Sequence, residues 1–417
     1  MKFVSSAGGA LPSSIRSTRR TSRDPRRGVR RGGLAGLWAA AVLGPVGAAA
    51  QTAAPAQAPT PIGGWQAGAV LDVSVGSRKL GLGLRDKGLA LGHSDLTAYG
   101  PLGAHLQAQL TAVVHSHERK VETELEDAWV QSRTLPAGLQ VRAGRFASQL
   151  GYLNELHPHT DDFVERPLLY RGFLGDHWID DGLRVNWTAP TDLYLRLGVE
   201  VFRGRGLVDG QSSGRPGAAV LSAKTGGDIG ASHSWQAGLA MVHNRRQAAD
   251  EHEHEEGELE EEEHDAHEGH GHSHGAAYAG RRMWIADLAW KWAPGGNNSQ
   301  QQVRVLYEYA QVRGADNEVG PRARHSGQYL SAVWRFDPSW EAGVRHDLLR
   351  VSVPHDDHAH TGRLRESALM LAWKPTHMQT LRLQVTQQRG RGELDERTRG
   401  VHLQYILNFG AHAAHTF

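Results

Sequence analysis

Histidine and carboxylate crowd together between Asp250 and Gly275, DEHEHEEGELEEEEHDAHEGHGHSHG, a run holding seven of the chain's 25 histidines and twelve of its 45 acidic residues. Its imidazoles are His252, His254, His264, His267, His270, His272 and His274, and neither Lys nor Arg lies among them. Neutral imidazole interleaved with carboxylate is a good ligand set for Zn²⁺ and other borderline divalent cations. The run is almost devoid of apolar side chains and cannot bury enough surface to offset the entropy of ordering, so a disordered, solvated loop is expected. A charged spacer would share that composition, although a spacer has no need of repeated H-x-H. The chain contains no cysteine, which excludes thiolate metal sites, cysteine nucleophiles and disulfides. Any metal is then held by His and carboxylate alone, as in labile Zn, Ni, Co or Cu sites.

A second ligand pattern lies in Gly144 to Gly182, GRFASQLGYLNELHPHTDDFVERPLLYRGFLGDHWIDDG. This stretch is too long for a tight turn and rich in apolar residues, so a structured loop folding into or over a larger framework is expected. His157 and His159 form an H-x-H just before Asp161 and Asp162. Two imidazoles and a carboxylate make a partial metal site with positions left for water or a passing ligand, and the candidates are His157, His159 and Asp162. Polar residues ordering a loop through hydrogen bonds is the competing reading. Smaller groups, His355, Asp356, Asp357, His358 and His360 in one place and His115 with His117 in another, recur where the alternation predicts connections between strands. Neither G-x-S-x-G nor HExxH occurs, and no nucleophile and base can be paired, so no enzyme is expected.

The framework starts behind an export signal. Residues 1–50 set basic side chains from Lys2 to Arg31 before an apolar core, Leu34 to Val46, and small residues at Gly47, Ala48 and Ala50, as a signal peptide does. Residues 51–64, QTAAPAQAPTPIGG, are an Ala/Pro-rich linker, and 65–417 are the folded part. Without the signal the net charge is about −7, and without the acidic loop as well about +5. The negative charge is therefore local, and nucleic-acid binding has no support.

In the folded part apolar and polar residues alternate with a period of two. Leu102, Ala104, Leu106, Ala108, Leu110, Ala112 and Val114 form one such run, read as a single strand. The parity recurs in Leu193 to Val201, Trp235 to Met241, Trp284 to Trp292, Val303 to Tyr309, Leu330 to Phe336, Leu369 to Trp373, Leu381 to Val385 and Val401 to Phe409. A soluble β-sandwich also alternates. The signal peptide, the Trp and Tyr at strand ends and the closing Phe417 favour an all-β protein instead: a transmembrane antiparallel β-barrel of the cell outer membrane, with about 14–18 strands. The apolar set then faces outer-membrane lipid and the polar set lines a lumen, with Arg142, Arg184, Arg196, Arg304 and Arg345 set against Glu200 and Glu308 as pore-lining residues. The acidic run becomes a connection between two membrane strands, and its length puts it outside the cell. Partners expected on this reading are divalent metal ions, lipid and the barrel assembly machinery, engaged through the last strand ending in Phe417; homo-oligomerisation stays open.

The block GRF...GYLNELHPHTDDFVERPLLYRGFLG...DDG resembles the signature block of bacterial outer-membrane proteins described as zinc-regulated outer-membrane receptors, and its GRF opening is similar to phosphate-selective-type porins. Barrels of this kind tend to carry a His/Glu-rich loop and a His-containing C-terminal segment ending in Phe, here Gly410 to Phe417. The resemblance implies acquisition of zinc or a related divalent metal, as ligand or transported ion, with His157, His159, Asp162 and the loop histidines as ligands. Such receptors are often labelled TonB-dependent. This chain has no room for a globular plug inside a barrel of ~22 strands, and no energy-coupling box is evident near Gln51, so passive or facilitated passage is expected. The alternative is a general or anion-preferring diffusion porin whose His-rich loop only buffers metal.

Overall fold

The computed structural model describes residues 64–117, 120–204, 207, 216–245, 277–278, 280–314, 324–355 and 358–410. The expected signal peptide, almost all of the linker, the whole Asp250 to Gly275 run with its seven histidines, and the tail beyond Gly410 lie outside those residues.

Alternation of β-branched, aromatic and Leu side chains with polar ones gives strands nearly throughout. The first are β1 (Gln66–Gly76), β2 (Gly88–Leu91), β3 (Ser94–Leu102), β4 (Leu106–His117), β5 (Lys120–Ser132) and β6 (Leu139–Ala147). They are followed by β7 (Ile179–Thr188), β8 (Tyr194–Phe202), β9 (Ala218–Ile229), β10 (His233–Asn244), β11 (Arg282–Trp292) and β12 (Gln302–Arg313). The last are β13 (Arg324–Asp337), β14 (Trp340–His355), β15 (His358–Thr376), β16 (Gln379–Gly392) and β17 (Arg397–Gly410). Sequence neighbours pair antiparallel, and β1 closes the cylinder on β17, with Gly68 opposite Gly410. Both β2 and β3 pair along β1 and form one interrupted stave, so the barrel is closed by 16 staves, inside the expected range. The run read as one strand from Leu102 to Val114 is in fact a reversal: Gly103, at φ +68°, turns the chain between β3 and β4, and a three-residue turn preserves the parity that made the run look continuous.

Outward side chains are apolar and exposed, as with Leu110, Leu239, Leu330 and Leu369, the last at 61 %. In water each such Leu would forgo roughly 1.5–3 kcal/mol; against lipid it does not. On β17 the outward apolar residues run from Val401 to Phe409. That is roughly 27 Å along the strand and, at a tilt of ~40°, roughly 21 Å of height, close to the ~25 Å apolar band of an outer-membrane barrel. No helix among the described residues is long and apolar enough to cross a membrane; the strands cross it. Aromatic residues gather at one rim, where Trp187, Tyr194, Trp235, Trp334, Trp340, Trp373 and Phe409 sit beside short turns. The other rim carries the long connections, among them 148–178 and the span between β10 and β11. Short turns face the periplasm and long loops the exterior, so this is a barrel of the cell outer membrane with both His-bearing connections leaving from its outer end.

The connection 148–178 turns inward. Its helix α1 (Leu168–Leu174) is buried along its whole length and packs on β12, β13 and β14. Pro167 fixes its start, the Leu168 amide donates to Asp347 Oδ1 at 3.0 Å, and Gly175 ends it in the left-handed conformation. Tyr170, Phe173 and Leu174 then join Phe146, Trp178 and Phe202 in an apolar core inside the barrel.

Candidate metal centre inside the barrel

Buried charges hold the inner loop in place, each paired as burial demands. Arg171 donates to Glu366 at 2.5 Å, and Arg345 binds both Glu366 at 2.5 Å and Asp347 at 2.8 Å. Across the lumen, Glu200 accepts from Arg184 at 2.5 Å and from Ser148 Oγ at 2.6 Å. Glu155 faces Arg184 at 3.1 Å, Arg196 at 3.2 Å and Lys224 at 3.5 Å. Burial opposes its ionisation, yet Arg184, Lys224 and Arg196 hold its carboxyl well below the usual range. Glu308 accepts from the hydroxyls of Tyr170 and Tyr329. All seven pore-lining candidates thus point inward, but Arg184, Arg345, Glu200 and Glu308 are buried beneath the loop, and Arg142, Arg196 and Arg304 keep partial exposure.

At the opposite wall the loop meets a bulge. Glu122, Glu124 and Glu126 take alternate positions on β5, and between Thr111 and Ala112 of β4 the register shifts so that Glu126 has no partner across the ladder. The extra residue turns two consecutive carboxylates, Glu126 and Asp127, into the lumen. A second irregularity, the break between β2 and β3, brings in His93 and Asp95. Gly92 permits that break: a Cβ there would lie 2.2 Å from Arg85 Nη1 and 2.3 Å from Asp72 Oδ2, inside the buried Arg85–Asp72 pair.

The loop supplies three more imidazoles to this spot. His93 Nε2 lies 2.8 Å from Glu126 Oε2, His177 Nε2 2.9 Å from Glu126 Oε1, and His157 reaches Glu126 and Asp127 at 3.3 Å each. His159 Nδ1 is 3.0 Å from Asp95 Oδ2. Ring centroids separate His93 from His157 by 5.4 Å and from both His159 and His177 by 5.8 Å. Two ligand triads share His93: His93, Glu126 and His177, and His93, Asp95 and His159, with the donor atoms of each within 4.8 Å of one another. Tetrahedral Zn²⁺ asks for ligand separations of ~3.4 Å, within reach of small side-chain rotations. Buried His93 Nδ1 and His177 Nδ1 make no hydrogen bond within normal length; the carboxylates facing them are Asp95 Oδ2 at 3.9 Å and Asp176 Oδ2 at 3.6 Å.

The electrostatics favour positive charge. Although burial works against it, Asp127 and Glu126 push the His157 imidazole up to about 10, and Glu126 and Asp176 push His177 up to about 9. Burial dominates at His159, which falls to about 4 despite Asp95. A cavity of about 80 Å³ lined by His93, His115, Glu126 and His177 borders the cluster. On the turn side of the loop a cavity of about 410 Å³ is lined by Tyr152, Glu155, Arg196 and Lys224.

Of the ligands expected from sequence, His157 and His159 come together. Asp162 does not join them; it binds Arg304 at 2.5 Å. His115 lies beside Glu122 at 3.6 Å near the outer rim, and His360 pairs with Glu393 at 2.9 Å on the exposed surface. Sequence reasoning missed His93, Asp95, Glu126, Asp127 and His177. The period-two carboxylates of β5 were the available signal, and His177 lies within the block quoted above.

No family model matches the chain. It is 28 % identical over 366 residues to an uncharacterised protein of Aquifex aeolicus strain VF5, covering 79 % of this chain and 70 % of that one. Solved structures share its fold at low identity. The high-pH structure of OprB from Pseudomonas putida has a TM-score of 0.53 at 14 % identity, over 83 % of this chain and 94 % of that one. A loop-deletion mutant of OmpT, an outer membrane protein of Vibrio cholerae, reaches 0.53 at 10 %, over 83 % and 99 %. An anion-selective porin from Comamonas acidovorans reaches 0.51 at 13 %, over 83 % and 99 %.

Proposed function

We propose that this barrel is a porin-type channel for zinc or a related divalent cation, with its selective site inside the lumen. The convergence of His93, His157, His159 and His177 on Glu126, Asp127 and Asp95 carries this reading. Imidazole and carboxylate without thiolate bind borderline cations reversibly, and two overlapping triads let an ion pass from one ligand set to the other through His93. The Asp250 to Gly275 run, leaving from the same rim as the inner loop, would raise the local cation concentration at the mouth. The resemblance to zinc-regulated receptors supports the same metal.

Liposomes holding a zinc indicator test this. Wild-type barrels are expected to admit Zn²⁺, and the Glu126→Gln barrel to admit it about 10-fold more slowly or worse, since even loss of a group that only supports a metal's ligands costs that much; equal rates would rule the site out of transport. A second reading is a general or anion-preferring porin. It is favoured by the partly exposed Arg142, Arg196 and Arg304 in the interior and by the likeness to an anion-selective porin. Planar-bilayer reversal potentials separate the two, since anion preference indifferent to Zn²⁺ belongs to the second.

A further inference from the structure

We propose that the outward surface of β14 to β17, just beyond the apolar belt at the outer rim, binds the phosphate groups of a lipopolysaccharide-type glycolipid of the outer leaflet. Outward positions on β15 climb from Trp373 through Leu371 and Leu369 to Ser367, Arg365 and Arg363; on β17 they climb from Leu403 and Val401 to Arg399 and Arg397. Register then lines the guanidiniums up. Arg365 lies opposite Arg389, and Arg389 opposite Arg397. One step further out, Arg350 lies opposite Arg363, and Arg363 opposite Arg391. A third such row, Arg282, Arg313 and Arg324, continues on β11 to β13.

Like charges directly across a ladder, ~5 Å apart, destabilise a sheet unless an anion lies between them. Among the described residues none of the arginines in the two rows on β14 to β17 has an ion pair, and the buried Nε of Arg363 has no hydrogen-bond partner. The patch borders a recess of about 720 Å³, in which Gln387, Gln388 and Thr398 are the neutral polar neighbours. Depth identifies the anion. Successive outward residues are ~6.7 Å apart along a strand, so the rows begin within one or two such steps of Leu369, Val385 and Val401, at headgroup level. Acyl chains would lie on those apolar residues while phosphates, fixed above them, take bidentate contacts from the guanidiniums. At the other rim these strands end in Trp340, Trp373 and Phe409, without arginine, so the patch belongs to one leaflet only.

Fluorescent bis-phosphorylated lipid A, titrated into the full-length barrel folded in detergent, tests the proposal. The combined variant Arg363→Gln, Arg365→Gln, Arg389→Gln, Arg397→Gln is expected to raise Kd about 10-fold or more, through loss of several charge-assisted contacts, while keeping the heat-modifiable band of a folded barrel. On the unaltered chain, dephosphorylated lipid A and millimolar inorganic phosphate should both fail to displace the probe, and EDTA should leave binding intact because arginine, not a bridging cation, meets the phosphate. Unchanged Kd in a folded variant, or loss of binding in EDTA, would overturn it. Equal competition by dephosphorylated lipid would reduce the patch to apolar contact, and displacement by inorganic phosphate would assign it to free phosphate; either result also overturns it. The competition arms hold even if the variant does not fold.

Discussion

Glu126 owes its position to one extra residue in β5, and it is the carboxylate on which three imidazoles converge. His93 belongs to both triads, whereas His159 and His177 belong to one each. His93→Ala should therefore weaken Co²⁺ or Zn²⁺ binding to the purified barrel by ~100-fold, and His159→Ala or His177→Ala by only ~10-fold, on the scale at which single ligands and their supports are felt. The intensity of the Co²⁺ d–d absorption measures this, and equal losses for all three would refute a shared ligand. At this scale the sequence was half legible. His157 and His159 stand out because two ligands lie two residues apart, but His93 and Glu126 become neighbours of that pair only through a strand break and a bulge that residue types do not announce. Asp162 looked equivalent to Asp161 in sequence; inside the barrel Asp162 is taken by Arg304, and Asp161 by Arg166.

At the scale of elements, the inner loop is the part that makes a cylinder into a selective site. Glu155 is one of its anchors, and Glu155→Gln would leave Arg184, Arg196 and Lys224 facing a neutral group, loosening the loop by about 2–3 kcal/mol. Hydrogen exchange over 148–178 checks this. The pH dependence follows from the depressed carboxyl: its contribution is complete above the ordinary carboxylate range and disappears as pH falls towards the lower folded value. The difference in protection between wild type and Glu155→Gln should thus stay constant from neutral pH down to ~4.5 and shrink only in stronger acid. Gly92→Ala should also destabilise, by about 2 kcal/mol, because its methyl would intrude on a buried ion pair; thermal unfolding of the heat-modifiable form reads it. That the block 144–182 forms a structured loop folding into or over the barrel was expected from its length and apolar content. Which inward side chains receive it was not, since Asp347, Glu366 and Glu308 are separated from it by more than a hundred residues in the chain.

The molecule as a whole was the most legible level, because lipid on one side and a polar interior on the other impose a period of two on every strand. The outward apolar belt follows from that pattern, and the expected range of about 14–18 strands, which came from chain length, contains the 16 staves observed. The turn at Gly103 does not follow from the pattern, since an odd-length turn keeps parity across a reversal. Leu403→Arg, near the middle of the β17 belt, should cost about 2–4 kcal/mol in bilayer unfolding, and a negligible cost would argue against lipid on that face. The two His-bearing connections share one rim, so the outer loop and the inner cluster can be separated experimentally. Equilibrium dialysis of Zn²⁺ against the folded barrel lacking Asp250 to Gly275 isolates the inner site. Stoichiometric Zn²⁺ retained by that barrel and lost on His93→Ala is the expected result; no retained Zn²⁺, or retention that survives His93→Ala, would contradict a metal centre in the lumen.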